Sequence, residues 1–206
     1  MSTRLDLAAK LNNQFNNTIY YDQQAINDSL QDGIDEVAAV AGCVTKSAAI
    51  PFTANTTYYD MLTLLPDYVG VIAIWNDVIH RWMYPTSLRK LNQQRFDWDA
   101  QFGTPYYFCP ISHRYIAIWL KPSIANYGRM FVFYAAAAPQ MDDNTQVPIP
   151  DEHITALEFY SITDLWEQAQ EWGKASASLR DYIANLENLR VLIKNKRFRD
   201  RTPGLK

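Results

Sequence analysis

Cys109 and His113 are the two side chains whose types and spacing come closest to a metal site. They stand four residues apart, a spacing that could supply two zinc ligands. The sequence adds only one other cysteine, Cys43, and no second pair of this kind, although a structural zinc site takes about four ligands. We therefore expect Cys109 and His113 to have structural roles at the edge of a sheet.

A second group of potential ligands is formed by Asp151, Glu152 and His153. All three fall in the first turn of a predicted helix, where acidic residues interact favourably with the helix dipole, and we favour this capping role over metal binding. The sequence has seven glycines and lacks Gly-x-Ser-x-Gly, the P-loop pattern and Gly-x-Gly-x-x-Gly. An active site would need residues gathered from distant segments. We predict that the chain is not an enzyme, with no catalytic residue, no metal and no cofactor.

Positive charge is concentrated at the C-terminus. The whole chain carries a net charge of −3 with neutral histidines. Residues 194–206 contain six cations and one acid, so they carry +5 and the other 193 residues carry −8. Pro203 and Gly204 predict that the last residues are not helical. A basic tail is therefore expected to extend from an acidic body, with its partner-binding residues at Lys194, Lys196, Arg197, Phe198, Arg199 and Arg201.

Three roles for this tail stay open. It could be an ordinary solvated terminus, although Phe198 among the cations is unusual for one. It could bind nucleic acid, and six cations would then give a salt slope of at most roughly −5 on duplex DNA. It could also bind an acidic groove on a protein partner, since an extended segment of this length reaches at most about 45 Å.

The first 43 residues are predicted to hold an arm and one helix. The polar N-terminus has no secretory h-region, and no apolar run of about 18 residues marks a membrane span. The stretch 5–21 has weak periodicity, so its structure stays open, and an arm that orders only against a partner is one reading. From Asp22, a plausible N-cap, apolar residues recur at helical spacing up to Gly42, despite Gly33 costing about 1 kcal/mol relative to Ala.

Residues 44–148 are predicted to form an antiparallel β-domain. β-Branched and aromatic runs at 44–53, 56–64, 69–75 and 78–84 are typical of a meander of short strands, with a hairpin turn at Asn76-Asp77. A short helix near 87–97, capped by Ser87, leads to Trp98. The apolar runs Tyr115–Leu120 and Met130–Tyr134 are then expected to pair as a hairpin, and apolar side chains on both faces indicate that these strands are covered.

Two antiparallel helices are predicted for 149–193. The first begins at Asp151 and is closed by Gly173. The second carries apolar residues at steps of three and four that indicate packing along another helix: Leu179, Tyr182, Leu186, Leu189 and Ile193. We therefore predict an α+β fold, in which N- and C-terminal segments form a helical bundle, the antiparallel β-domain is inserted between them, and 194–206 form the tail.

The order of these features resembles the head-to-tail adaptor proteins of tailed bacteriophages, including the tail tubular A type. The resemblance covers residues from about 22 to 198. It rests on Leu65-Pro66-Asp67-Tyr68 before a strand, on the helix start Ile149-Pro150-Asp151-x-His153, and on a segment that carries the structural motif residues Trp98, Gly103, Pro105, Tyr107 and Pro122. Lys121-Pro122-Ser123 departs from the Tyr-Pro-x-Pro that this family often has.

The resemblance implies a non-enzymatic virion subunit, assembled in the host cytoplasm, in a dodecameric ring at the neck beneath the capsid portal. Its partners would be the portal protein, the next tail or nozzle protein, further copies of itself, and genomic DNA passing through the channel, but no membrane. In such rings the C-terminal segment docks onto the portal and the β-region faces the next tail component. A nucleic-acid-binding module that uses the basic tail is the alternative function.

Overall fold

The computed structural model describes residues 2–15, 22–124, 127–142 and 144–200, without the side chains of residues 152 and 196–200. Within these ranges the chain has the predicted α+β fold. Its helices are α1 (Arg4–Phe15), α2 (Gln23–Ala41), α3 (Met61–Leu64), α4 (Leu88–Gln94), α5 (Ile154–Gln168) and α6 (Trp172–Asp200). Its strands are β1 (Thr45–Pro51), β2 (Tyr58–Asp60), β3 (Tyr68–Asn76), β4 (Arg81–Trp82), β5 (Tyr84–Pro85), β6 (Tyr107–Ile111), β7 (Tyr115–Trp119) and β8 (Arg129–Ala136).

The chain divides into two compact units. The helical unit combines Met1–Val44 with Ala137–Lys206, and the β-unit is Thr45–Ala136. The β-unit therefore stops short of residue 148, the boundary expected from the proline-rich segment. The physical reason is that Met141, Val147 and Ile149 are buried in the core of the helical unit, so the segment after β8 packs with the helices.

Helix α2 follows the sequence prediction closely. The Asp22 carboxylate caps its start by accepting a hydrogen bond from the Ala25 N–H at 2.7 Å. Gly42 ends it with a φ of 63° and donates its N–H to the Ala38 carbonyl at 2.8 Å. The residues at helical spacing, including Ile26, Leu30 and Ile34, are fully buried. One apolar face of α2 thus forms the centre of the helical unit.

Helix α1 occupies the stretch whose structure the sequence left open. Leu7, Ala8 and Leu11 are buried in the same core as α2, and Lys10 Nζ pairs with Glu158 Oε1 of α5 at 2.6 Å. Residues 4–15 are therefore ordered against their own chain. Three buried apolar residues at helical spacing and one ion pair stabilise this helix. In the sequence, so short an apolar pattern does not stand out from the surrounding asparagines and glutamines.

The junction of α5 and α6 differs from the prediction. Gly173 does not close a helix, because it is the second residue of α6. Helix α5 ends at Gln168, five residues before Gly173, in a Schellman motif. Gln170 adopts a φ of 60°, its N–H bonds the Glu167 carbonyl, and the Glu171 N–H bonds the Trp166 carbonyl, both at 2.9 Å. A glutamine takes the position that glycine usually fills, so the sequence placed the helix end at the wrong residue.

The β-unit contains two four-stranded sheets, with orders β1-β8-β3-β4 and β2-β7-β6-β5. The prediction of a hairpin between Tyr115–Leu120 and Met130–Tyr134 is therefore wrong, because β7 pairs with β2 and β6 whereas β8 pairs with β1 and β3. The predicted meander over 44–86 is wrong for the same reason. Strands with apolar residues on both faces carry no sequence pattern that indicates which strands they pair with.

Local features of the β-unit were predicted better than its pairing. Strands β3 and β4 form the expected hairpin, with Asn76 opposite Arg81, so its loop has four residues instead of two. Ser87 caps α4 by accepting the Lys90 N–H. Strands β5 and β6 are parallel, which corrects the prediction of an entirely antiparallel domain.

Candidate functional site

The basic residues near the C-terminus lie on a helix. Helix α6 continues to Asp200, past residue 193, where the sequence predicted its end. Lys194 is exposed in this helix, and Lys196, Arg197, Phe198 and Arg199 belong to it by their backbone, while Arg201 lies outside the described residues. The described part of the predicted tail is therefore a helical extension and not an extended strand of chain.

The apolar seam of α6 explains how this helix is held. Tyr182, Leu186 and Leu189 are buried in the helical core, and Ile193 packs against it, as their spacing predicted. Leu179 is an exception because it is exposed, and Ala175 is buried one turn before it. Ile193 is the last residue of the predicted seam, and Lys194 directly after it is exposed.

Trp98 is a buried cross-link within the β-unit. Its side chain is 5% exposed and forms a core cluster with Leu91, Cys109 and Ala117. The indole N–H donates to Asn92 Oδ1 at 2.8 Å. Trp98 thereby ties α4 to strands β6 and β7, and the motif residue has a structural role.

The segment after Trp98 runs beside the end of β7. Gly103 donates its N–H to the Lys121 carbonyl at 3.0 Å, and a Cβ on Gly103 would lie 2.6 Å from Leu120 Cδ1. A φ of 157°, together with the close contact with Leu120, therefore favours glycine at this position. The Pro122 carbonyl accepts the Asn55 N–H at 2.8 Å. This hydrogen bond holds the chain directly after Lys121.

Pro105 and Tyr107, the next two motif residues, each contact side chains of other strands. The Pro105 carbonyl accepts a hydrogen bond from Asn76 Nδ2 at 2.9 Å, and Asn76 is completely buried. Tyr107 contacts the rings of Tyr84 and Trp119, with centroid distances of 5.8 and 5.4 Å. Asn76 was missed as a structural residue because the Asn76-Asp77 pair was interpreted only as a turn.

Asp67, from the Leu-Pro-Asp-Tyr segment, connects two neighbouring strands of one sheet. Its carboxylate contacts Lys46 Nζ of β1 at 2.5 Å and accepts a hydrogen bond from the Tyr134 hydroxyl of β8 at 3.0 Å. The bond from Lys46 is the main reason why the pKa of Asp67 lies below its ordinary value. Burial, followed by the bond to Asp67, raises the pKa of Tyr134.

Asp60 and Arg114 form a second charged contact in the β-unit. Arg114 Nε and Nη2 both donate to Asp60 Oδ2, at 3.0 and 2.6 Å. Asp60 also caps α3. The hydrogen bonds from Arg114 are the largest cause of the lowered pKa of Asp60, which falls to about 2.

The candidate metal ligands whose side chains are described do not come together in a site. Cys109 is buried and burial raises the pKa of its thiol, while His113 lies in the turn after β6. Asp151 to His153 form a 3₁₀ turn before α5, and Asp151 Oδ1 accepts the Ser2 N–H at 3.0 Å. Asp151 therefore does not cap α5 as predicted. Within the described ranges, no group of three His, Cys, Asp or Glu side chains could hold a metal ion.

One pocket of the helical unit has a polar lining. Its volume is about 430 Å³, and it lies between α1, α2 and the segment after β8. Its walls are formed by Arg4, Gln24, Asn27, Asp28, Gln31, Asp32 and Gln140.

Among the helices of the described part of the chain, none has the length and apolar character needed to cross a membrane.

The chain is similar to a known protein family over almost its whole length. The family model described as SU10 adaptor protein matches residues 2–203. No curated protein matches the chain. The family match covers both units and the whole of α6.

Proposed function

Because the chain belongs to the SU10 adaptor protein family, and is thus a structural adaptor of a bacteriophage virion, we propose that it forms the ring that joins the capsid portal to the tail. The ring would be a dodecamer of the tail tubular A type, assembled in the host cytoplasm before it is built into the virion neck. Its copies would line the channel through which DNA leaves. Head-to-tail contacts between identical subunits close into such a ring when the rotation between neighbours closes.

The portal contact is assigned to the basic end of α6. The observation that carries this proposal is the continuous helix Trp172–Asp200, in which Ile193 packs against the helical core and Lys194 is exposed. From residue 194 to residue 200 the helix extends by about 9 Å, so the cations from Lys194 to Arg199 are presented on a preformed element. Arg201, beyond the described residues, belongs to the same proposed contact.

An acidic groove between portal subunits is the partner that fits this end. Lysine and arginine gain from pairing with carboxylates chiefly where water is partly excluded. Phe198 would add apolar contact in the same groove, in the way that aromatic and arginine side chains dominate many interfaces. The β-unit is then assigned to the contact with the next tail component.

Deletion of residues 194–206 tests the portal contact. Portal binding should weaken strongly, and the binding that remains should depend less on salt when measured at two salt concentrations. A matched control replaces Arg180 and Arg190, two exposed cations of α6, by glutamine and should bind almost as well as the unmodified chain. Unchanged affinity after the deletion would refute the assignment. Native mass measurement with and without the portal shows whether a ring forms, and with how many copies.

The charge of +5 on residues 194–206 also supports a nucleic-acid-binding module as a second candidate function. In that case the unmodified chain would bind duplex DNA without any portal, with a salt slope of up to about −5. The deletion would remove this binding. DNA binding that requires the assembled ring instead favours the channel-lining role.

A further inference from the structure

Four carboxylates lie around the Tyr160 side chain on the surface of the helical unit. Tyr160 of α5 packs over Gly33 of α2, where an added Cβ would lie 2.8 Å from its Cδ1. Burial raises the pKa of the Tyr160 hydroxyl, and the four carboxylates raise it further: Asp164, Asp32, Glu36 and Glu167. None of them belongs to an ion pair within the described ranges. Negative charge is therefore concentrated where α2 and α5 meet.

Tyr182 of α6 adds a buried polar group to this cluster. Its ring meets the Tyr160 ring edge-on, with centroids 5.4 Å apart, and the residue is 6% exposed. Its hydroxyl has no hydrogen-bond partner among the described residues. Burial raises the pKa of Tyr182 to about 12, and Glu36 contributes to the same rise. The hydroxyl oxygen thus adds an unused acceptor beside the acids, which suits a ligand that carries hydrogen-bond donors.

The arrangement of the acids favours a basic side chain over a metal ion. In the described ranges, no three His, Cys, Asp or Glu side chains are placed to hold a metal. Asp32 and Glu36 are one helical turn apart on α2, and the several donors of a lysine or arginine can reach both. Asp32 also lines the polar pocket of about 430 Å³ described above. Arg4, a cation in that lining, donates to the Met141 carbonyl at 2.6 Å.

The chain itself carries a basic segment at the end of α6. Residues 194–206 have a charge of +5, whereas the other 193 residues have −8. Val191 and Leu192, shortly before Lys194, are 58% and 39% exposed. This end of the helix therefore offers apolar surface as well as positive charge. Its charge is complementary to the acids around Tyr160, which argues for a second copy of the chain as the partner of that site.

A chain cannot place this basic end in its own acidic site. Helix α6 is continuous from Trp172 to Asp200. Because a helix rises by 1.5 Å per residue, Lys194 lies about 18 Å beyond Tyr182 along the axis. The contact must therefore come from another copy. It joins two different surfaces of identical subunits, so it is a head-to-tail contact of the kind that can close into a ring.

We propose that the acidic site formed by Asp32, Glu36 and Tyr160 binds the basic end of α6 from a neighbouring copy before the portal is present. The inference rests on the proposed function, which gives the same basic end to the portal in the finished neck. The portal then replaces the neighbour's acidic site by an acidic groove of its own. Each copy donates one basic end and accepts another, which orders the copies before they meet the portal.

Charge reversal tests this contact in the full chain. Asp32→Lys with Glu36→Lys reverses the site, and Lys194→Glu with Arg197→Glu reverses the basic end. Each pair should weaken self-association, measured by sedimentation equilibrium, by about 10-fold or more, because like charges then face each other. The chain with all four substitutions keeps its original net charge and should recover most of the affinity. Asp35→Lys, at another exposed acid of α2, is the matched control and should change the affinity by less than about threefold.

The rescue by four substitutions decides between contact and coincidence. If that chain associates as weakly as either pair of substitutions, the two surfaces do not meet and the inference is overturned. An unmodified chain that stays monomeric at low salt also overturns it. Portal affinity should not fall in the variant with Asp32→Lys and Glu36→Lys, and a fall would show that these acids serve the portal contact instead. The proposed function fails by a different result, namely unchanged portal affinity after deletion of residues 194–206.

Discussion

Gly33 lies in the middle of α2, where α5 approaches too closely for any side chain. A Cβ at this position would lie 2.6 Å from Leu157 Cδ1 and 2.8 Å from Tyr160 Cδ1. Both distances are well below van der Waals contact, and Leu157 is completely buried, so its methyl group cannot move into solvent. The glycine that weakens α2 as an isolated helix is thus the residue that lets α2 and α5 pack together.

Gly33→Ala is therefore predicted to destabilise the protein. The change ordinarily stabilises a helix interior by about 1 kcal/mol, and overpacking a core costs about 1–3 kcal/mol. We take the upper end of that cost because two atoms would be displaced at once, which leaves a net loss of about 2 kcal/mol. For a chain of this size the melting temperature should fall by roughly 4–8 °C.

Gly173→Ala provides the matched control for this prediction. Gly173 also lies in a helix, and a Cβ on it would meet nothing within 4 Å. It should raise the free energy of unfolding by at most about 1 kcal/mol. Urea unfolding followed by circular dichroism measures both variants. If Gly33→Ala is as stable as the unmodified chain, then α2 and α5 do not pack as closely as described.

Two further predictions concern titratable side chains. The Tyr182 hydroxyl is buried and has no hydrogen-bond partner among the described residues, so Tyr182→Phe should raise the free energy of unfolding by about 1 kcal/mol. A loss of stability in urea would show that the hydroxyl has a partner. The folded pKa of Asp60 is about 2, below its ordinary 3.8, so its contact with Arg114 stabilises the fold above pH 4 and is lost as the pH falls towards 2. Arg114→Gln should therefore flatten the fall of melting temperature between pH 4 and pH 2, and parallel curves for the two proteins would contradict this.

Local structure was predictable where one residue type has a specific physical role. Asp22 and Gly42 mark the ends of α2 because one offers a carboxylate to free N–H groups and the other adopts a positive φ. Ser87 likewise marks the start of α4, because its side chain accepts a hydrogen bond from a free N–H group of that helix. The end of α5 was missed because Gln170, a residue with no such preference, adopts the positive φ there.

Pairing of the strands was not predictable from the same reasoning. Strands β7 and β8 are neighbours in sequence and both are apolar on two faces, yet they belong to different sheets. The structural role of the motif residues depends on partners such as Asn76, Asn92 and Leu120. Those partners carry no pattern of their own.

The position of β8 also determines when the fold can be completed. β8 lies between β1 and β3 in its sheet, and Thr45 of β1 pairs with Ala135. Neither β1 nor β3 therefore has its main partner until residues 129–136 have been synthesised. In the helical unit, α2 likewise lacks its packing partner α5 until that helix has been synthesised. Such long-range pairing slows folding. The β-unit cannot close before Ala136 has been synthesised, and the helical unit also needs the segment from Ala137 onwards. Unfinished chains therefore do not present a completed adaptor surface.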